Sequence, residues 1–415
     1  MCHKDNVFLC ASQAPALAQL QAFRSLYLIF GSQIEIISLN NDDMTLRIRV
    51  RQVIAYFFRS LLWSLNLLLV LYTCFGYWLL YSLPTEHWSA SMIMITLPVA
   101  WALNLIVVFC WLTSRPWRSW LSGIVLIIGL ILFGSRTFVW HTPVEVISQG
   151  KPIKIFSYNV QSFDLNESWS FYTSSPRVRR TDNYVLRYDA PIKCFQEFYN
   201  STSIPDYNVV LRFRKAGYRY SVLLYPQNAL VPEGDIGAAI FSIYPIVDSG
   251  REPFGGSNGV VWANIKIGND TIRVINVHLR SMGIRVGKVL TQKEMKGVKR
   301  ETRGVLTALH NGFTDRREEV YKVIDYIRES PYPVIVTGDH NDTPYSVVYE
   351  RLRQVLPNSF EDGGRGFGFT YNRLPGFIRI DHQFHDPKLP VLNFETLNYI
   401  GYSDHYPIVG TYLIK

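Results

Sequence analysis

Five consecutive residues near the C-terminus, Gly338-Asp339-His340-Asn341-Asp342, follow an apolar run, 332–336, that reads as a buried strand. A glycine and two carboxylates at a strand's end give a tight turn that exposes oxygen atoms. Asp339 and Asn341 stand two apart, so while the extended conformation persists their side chains point to one face. That arrangement suits a phosphate and a hard divalent cation, which takes oxygen ligands and water. Taken alone, Asp-x-Asn-Asp is also an ordinary turn.

Other polar residues end strand-like runs in the same way. Asn159 closes 154–158, and Glu197 follows Cys194-Phe195-Gln196. Asn276 and His278 are two apart at the end of 272–277. Asp381 follows Arg379-Ile380, and Ser403-Asp404-His405 precedes the apolar run 407–413. Singly, each reads as a turn, surface or loop residue. What they share is the end of a strand.

The elements that must position them begin at Lys151. Short β-rich runs cover 153–158, 207–210, 220–224, 238–243, 260–267, 271–277 and 333–337. Asn269-Asp270 between two of them predicts a hairpin turn. A helix is expected over 316–329, where Val320, Val323, Ile324 and Ile327 mark one face, and Ser330-Pro331 ends it. This is a mixed α/β domain of 265 residues, 151–415.

The first part of the chain has another character. Residues 61–80, 89–112 and 119–135 are charge-free. Their lengths approach the ~20 residues that cross a bilayer, the third reaching Trp140 if Arg136 snorkels. Tyr77, Trp78, Trp88, Trp111, Trp117, Trp120 and Trp140 cluster at their ends as in interfacial belts. Three buried helices of a soluble core are the alternative. Arg47, Arg49, Arg51 and Arg59 precede the first run, residues 81–88 hold no Lys or Arg, and 113–118 hold Arg115 and Arg118. The positive-inside rule then leaves the N-terminus in the cytoplasm. Everything after about residue 141 lies outside, which in a Gram-negative cell is the periplasm. Met44 directly precedes the basic run. Translation therefore starts there, with 1–43 an upstream extension, or 1–43 is an amphipathic cytoplasmic segment. The expected division is 1–43 as this extension, 44–140 as a membrane anchor and 141–415 as the catalytic domain.

The chain has 415 residues and a net charge of +9, which favours anionic partners or reflects topology-setting arginines. Of five cysteines only Cys194 lies beyond residue 150, which excludes a disulfide framework and a thiolate zinc site there. Cys194 reads as a core residue. Residues 280–303 carry Arg280, Arg285, Lys288, Lys293, Lys296, Lys299, Arg300 and Arg303 against Glu294 and Glu301. They form a basic insertion for a nucleic-acid backbone or anionic head groups, or a solvated loop. Phe367, Phe369, Tyr371 and Phe377 lie near the site motifs, to grip a substrate or to fill a core.

In order, Tyr158-Asn159-Val160, Gln196-Glu197, Asn276-Val277-His278, the 338–342 segment, Arg379-Ile380-Asp381-His382 and Ser403-Asp404-His405 resemble the endonuclease/exonuclease/phosphatase superfamily. The segment Asp235 to Ile246 also resembles that family's strand pair before the histidine. The likeness covers 151–415, and the anchor ahead of it looks like a membrane-anchored bacterial branch. It implies a two-sheet α/β sandwich with the site at one end, preceded by three transmembrane helices. It implies that Glu197 binds Mg2+ (or Mn2+), with Asn159 close by and Asp404 a further ligand. Asp339 would deprotonate the attacking water and Asn341 would bond a phosphate oxygen. His405, oriented by Asp381, would contact the phosphate, and His278 would bind another oxygen or protonate the leaving group. His340 and Gln383 depart from the Phe and the aliphatic residue usual at those positions. The expected activity is hydrolysis of a phosphodiester or phosphomonoester in a lipid head group or small phosphoester. A nuclease, and a catalytically silent phosphate-ligand binding module on the membrane, are the alternatives.

Overall fold

The computed structural model describes residues 43–144, 150–164, 176–225, 236–281, 295–373 and 376–414. The N-terminal segment 1–42, Asp235 and most of the basic insertion, including Arg285, Lys288, Lys293 and Glu294, lie outside these residues. The chain divides at Ser64 into two compact units. Of the first, the described part is the opening of helix α1 (Asp43–Ser82).

Three helical segments are long and apolar enough to cross a membrane: Gln52–Ser82 within α1, which runs across the division, and Trp88–Ser114 and Pro116–Thr137 in the second unit. The middle one is two helices, α2 (Trp88–Ile95) and α3 (Leu97–Ser114). They meet at Thr96, and Pro98 in the first turn of α3 removes an amide hydrogen there. Buried polar side chains tie the helices together. Asn104 donates to Thr73 Oγ1 at 3.0 Å, and Ser122 of α4 (Trp120–Thr137) donates to Asn66 Oδ1 at 2.6 Å. Helix α4 stops at Thr137, short of the expected Trp140. Val139–Trp140 is a strand, β1, paired with β10 (Arg365–Gly366). Arg136 does not snorkel either. It is 4% exposed and paired with Glu350 at 2.6 Å.

The rest is two mixed sheets face to face. One has the order β12 (Val391–Thr396), β13 (Ile408–Ile414), β2 (Lys151–Asn159), β3 (Ile192–Tyr199), β5 (Ile236–Ser242), β4 (Tyr220–Leu223). The other runs β11 (Asp381–His385), β9 (Val334–Asp339), β8 (Asp270–His278), β7 (Asn258–Ile267), β6 (Ile246–Gly255). Ile155, Ile192, Cys194 and Ile240 of the first sheet meet Val261, Ala263, Val274 and Ile335 of the second in a dry core. Cys194 is therefore a core residue, as expected. On the outer face of the first sheet Phe156, Phe195 and Phe241 pack against α5 (Pro176–Arg187) and α6 (Val209–Lys215). Helix α7 (Met295–Arg328) covers the second sheet with Val320, Val323, Ile324 and Ile327.

Most strand expectations hold, and the hairpin forms with Gly268-Asn269 between Ile267 and Asp270, φ being +66° at Gly268. The run 207–210 is not a strand. Pro205 opens a 3-10 turn through Tyr207, and Asn208 caps α6 by accepting from Leu211 N–H. Helix α7 starts at Met295, well before residue 316, and its polar first turns carry no apolar stripe from which the sequence reading could place that start.

Candidate active site

Strand register assembles the site. β8 and β9 are parallel with His278 opposite Asp339, and β9 and β11 are antiparallel with Asp339 opposite Asp381. Three adjacent strands thus place three side chains in one row on one face. In the facing sheet Asn159 at the end of β2 stands opposite Gln196 of β3, with Glu197 next. His405 arrives from the loop before β13 and bridges to Tyr371.

Local backbone geometry turns these residues inward. Gly338 has φ +137°, and a Cβ there would lie 2.0 Å from Val277 O, so only glycine lets the two parallel strands close up beside Asp339. Glu197 has φ +49° inside a register shift between Phe195 and Phe198. A bulge that re-aims a side chain has this signature, and left-handed non-glycine residues collect at functional sites. Asn341 is also left-handed, φ +51°. The extended conformation therefore ends at Asp339, and the expected sharing of one strand face by Asp339 and Asn341 does not occur. They meet instead through the turn, Asn341 N–H donating to Asp339 Oδ1 at 2.9 Å.

Asp339 lies at the centre. Its Oδ2 accepts from Asn159 Nδ2 at 3.0 Å and lies 3.7 Å from Nε2 of both His278 and His405. His278 Nε2 is also 3.9 Å from Glu197 Oε1, and it is a buried nitrogen without a hydrogen-bond partner, its Nδ1 donating to Ser257 O at 3.1 Å. Such an atom, aimed between two carboxylates, is met by a water or a ligand oxygen. Glu197 is the accessible carboxylate, its side chain 33% exposed against 2% for Asp339. His405 Nδ1 donates to Asp381 Oδ2 at 2.8 Å. Burial disfavours the charged imidazole, but the Asp381 and Asp339 carboxylates outweigh it and push His405 up to about 10. Burial also raises Asp381, against the pull of His405. Around neutral pH the pair is imidazolium and carboxylate.

The other expected residues fall in the same place with different contacts. Asn159 turns its amide nitrogen to the carboxylates, and its oxygen accepts from Gln161 N–H at 3.0 Å. Asn341 donates its amide to Leu279 O at 2.9 Å. Asp404 is half-buried with Oδ1 3.3 Å from Ser403 Oγ. Burial and then the charges of Asp404, Asp339 and Glu197 raise the Tyr371 phenol, whose ring meets the His405 ring edge-on at 5.3 Å. Ligand atoms of Asp339, Asp381 and His405 lie within 4.8 Å of one another, a buried group able to hold a metal ion only when the His405 ring gives up its proton. Oxygen-rich donors with one accessible carboxylate fit a hard divalent cation that keeps most of its water.

Sequence reasoning picked out Asn276, Asp342 and Gln383 without seeing that they are supports, and it missed Thr370 and Arg316. Thr370 Oγ1 accepts from Ile380 N–H and Asp381 N–H at 3.0 and 3.1 Å. Asn276, two residues before His278, receives Gln196 Nε2 at 2.6 Å and donates to Phe195 O and Ala239 O, joining the sheets beneath Glu197. Asp342 is buried and paired with Arg316 of α7 at 3.2 Å. Buried polar residues one or two positions from a site residue were the available signal. Gln383, out of pattern in a strand, joins the sheets by donating to Ile155 O and accepting from Tyr412.

The model of the endonuclease/exonuclease/phosphatase family matches residues 156–405, and the chain belongs to that family, which includes phosphodiesterases, nucleases and phosphatases. A second model, described as a domain of unknown function, matches residues 59–136. No curated protein matches the chain. Among solved structures it is similar to an endonuclease/exonuclease/phosphatase family protein from Bacteroides thetaiotaomicron, with 19% identity, 65% of this chain and 100% of that one covered, and a TM-score of 0.46. It is also similar to Danio rerio TDP2 complexed with single strand DNA product (17%, 63% and 99%, 0.44). The human Nocturnin catalytic domain with bound sulfate is similar to the same degree (16%, 64% and 95%, 0.43).

Proposed function

We propose that the chain is a membrane-anchored, divalent-metal-dependent phosphoesterase that hydrolyses its substrate by in-line attack of water. The observation that carries this is the single point where Asp339 Oδ2, both histidine Nε2 atoms and the accessible Glu197 converge. Glu197 would be the main ligand of a divalent cation, Mg2+ or Mn2+, with Asp404 and Asn159 beside it, and the ion would supply positive charge to a phosphate oxygen. Asn159 serves as a ligand only with its amide turned over. As oriented it steadies Asp339.

Asp339, with one oxygen fixed by Asn341 N–H, takes the proton of the attacking water. His405, locked by Asp381, donates from Nε2 to a non-bridging oxygen, where charge grows in the transition state. His278 offers its free Nε2 to another oxygen or to the leaving group. Asn341 completes the phosphate contacts by releasing Leu279 O. No covalent intermediate is required.

Three sufficiently long apolar helical segments support the anchor, and Arg47, Arg49 and Arg51 before the first and Arg59 near its start, with no Lys or Arg in 81–88, support a catalytic domain on the periplasmic side of a bacterial inner membrane. The test is hydrolysis by the full chain in lipid nanodiscs with Mg2+, Mn2+ or EDTA. The substrates are bis-p-nitrophenyl phosphate, phospholipid head-group esters and plasmid DNA. Metal-dependent turnover supports the reading, and its distribution chooses between lipid ester and nucleic acid. A folded chain that turns over none of them is a binding module.

A further inference from the structure

Helix α4 ends at Thr137, and the next residues are aromatic and exposed: Phe138 is 46% and Trp140 62% exposed. Their rings stack, with centroids 6.3 Å apart. β1 pairs with β10, Trp140 opposite Arg365, and this pairing brings in a second set of rings. Phe367, 49% exposed, meets Phe138 edge-on at 5.1 Å and stacks on Phe369 at 5.3 Å. Phe377, 64% exposed, joins the same loop, since the next residue, Ile378, accepts from Thr370 N–H and Tyr371 N–H. Tyr371 then lies against His405. A row of ring contacts therefore runs from the end of the third apolar helix as far as Phe369, and Tyr371, two residues further along the same loop, meets the ring of His405.

We infer that this row is seated in the lipid–water interface of the bilayer that holds the chain's own helices, so that the site takes phosphoesters carried by bilayer lipids. The inference rests on the proposed phosphoesterase and on the three helices as spans.

Continuity argues for the bilayer as the occupant. The row starts one residue beyond a helix whose Leu130 and Ile131 are among the most exposed apolar side chains of the chain. A span that leaves the hydrocarbon at Thr137 delivers Phe138 and Trp140 to head-group depth, where aromatic side chains concentrate. The charges agree. Arg365 lies 3.9 Å above the Trp140 ring, and Arg373 is exposed on the same loop, two cations at the level of lipid phosphates. The end of α1 carries exposed aromatics too, Trp78 and Tyr81. With the row at the interface, a head group has a short path along Phe369 and Tyr371 to His405. A water-soluble substrate gains nothing from it.

The test uses the full chain in phosphatidylglycerol–phosphatidylethanolamine vesicles with p-benzoylphenylalanine in place of Phe377 or Phe367. Irradiation is expected to give lipid adducts at both positions. In parallel, the Phe367→Ser, Phe377→Ser double variant is assayed on a vesicle-borne phospholipid ester and on bis-p-nitrophenyl phosphate. The ratio of the two rates is expected to fall at least tenfold. Crosslinks to a second copy of the chain, no lipid adducts, or an equal fall on both substrates overturn the inference. If the wild-type chain hydrolyses no phosphoester at all, the enzymatic reading fails, and the adducts alone decide whether the row is seated in lipid.

Discussion

Asp339 has two oxygens with separate employment. One is held by Asn341 N–H and the other faces Asn159 and both histidines. An Asp339→Asn variant keeps a carbonyl oxygen for Asn341 and the volume of the side chain. Its melting temperature is expected to stay near wild type while kcat falls by ~10²–10⁴, the range of a lost general base. Steady-state kinetics with a thermal melt check both halves. In the proposed mechanism Asp381 acts through His405, to which it is hydrogen-bonded. Because Asp381 and Asp339 hold the imidazolium up to about 10, the alkaline limb of kcat/KM is expected near that pH. Asp381→Asn removes a charge that raises the His405 pKa, so the limb moves to lower pH. A pH–rate profile of the variant that keeps its alkaline limb contradicts the assignment. His340 and His382 are buried neighbours, ring centroids 5.3 Å apart, that do not carry charge at neutral pH. Burial lowers His340 to about 4, and burial and then His340 push His382 well below its usual range. The unfolded chain takes up protons near pH 6.5 while the folded chain does not, so stability falls as pH drops from about 6.5 toward 4. His340→Phe, the residue usual at this position by resemblance, is expected to flatten that fall by about 3 kcal/mol at pH 4. Denaturant melts at pH 7 and pH 4 measure it.

Elements turn distant residues into one site, and here the sequence was only partly legible. Apolar runs ending in Asn, Asp and His announced the strands and their polar tips. The row His278, Asp339, Asp381 was not readable, because register between β8 and β9 is set across the whole of α7 by Gly338 against Val277 and by the covered face of the sheet. The left-handed turn at Glu197 was hidden likewise, since no glycine marks it. Pattern misled at 207–210, where one Asn cap outweighs β-prone residues, and at Arg136, whose partner Glu350 lies far along the chain. That pair is a strong structural test. Arg136 also lies over the rings of Phe133 and Tyr349, and Glu350 belongs to α8 (Val347–Arg353), the helix that follows the 338–342 turn in the chain. Glu350→Leu strands a buried guanidinium, and the expected loss is ~3–5 kcal/mol. Arg136→Met with Glu350→Leu is expected to recover most of it, since an apolar pair of similar size has no charge to desolvate. Thermal unfolding of the single and double variants in one detergent decides it.

Across residues 65–415 the described helices and sheets form one compact unit, and the contacts at its joint reach the catalytic strands. Ser135 donates to Glu361 Oε2 at 2.6 Å, and Glu361 also holds Tyr349 and, bidentately, Arg353. Arg379, two residues before Asp381, donates to Arg136 O and lies over the Phe360 ring at 3.7 Å. Val139 packs with Phe360, Phe394 and Ile408. Glu86 pairs with Arg351 and accepts from Tyr321. The helices are thus bound to the strand that carries Asp381 through buried charges and not through a slack linker. A fragment beginning at residue 141 loses Arg136, Ser135, Val139 and Glu86 together, leaving Glu350 buried without its cation. The expected deficit is at least ~3 kcal/mol, which for a domain of this size lowers the melting temperature by about 6 °C or more. Loss of the Arg379 anchor loosens the His405 partner, so kcat on a soluble ester is expected to fall with the melt. A second fragment, beginning at residue 120, retains Ser135, Arg136 and Val139 and is expected to regain most of both quantities in detergent. Equal melting and equal kcat for the two fragments would show that the catalytic strands stand on their own, with the helices serving only as a tether.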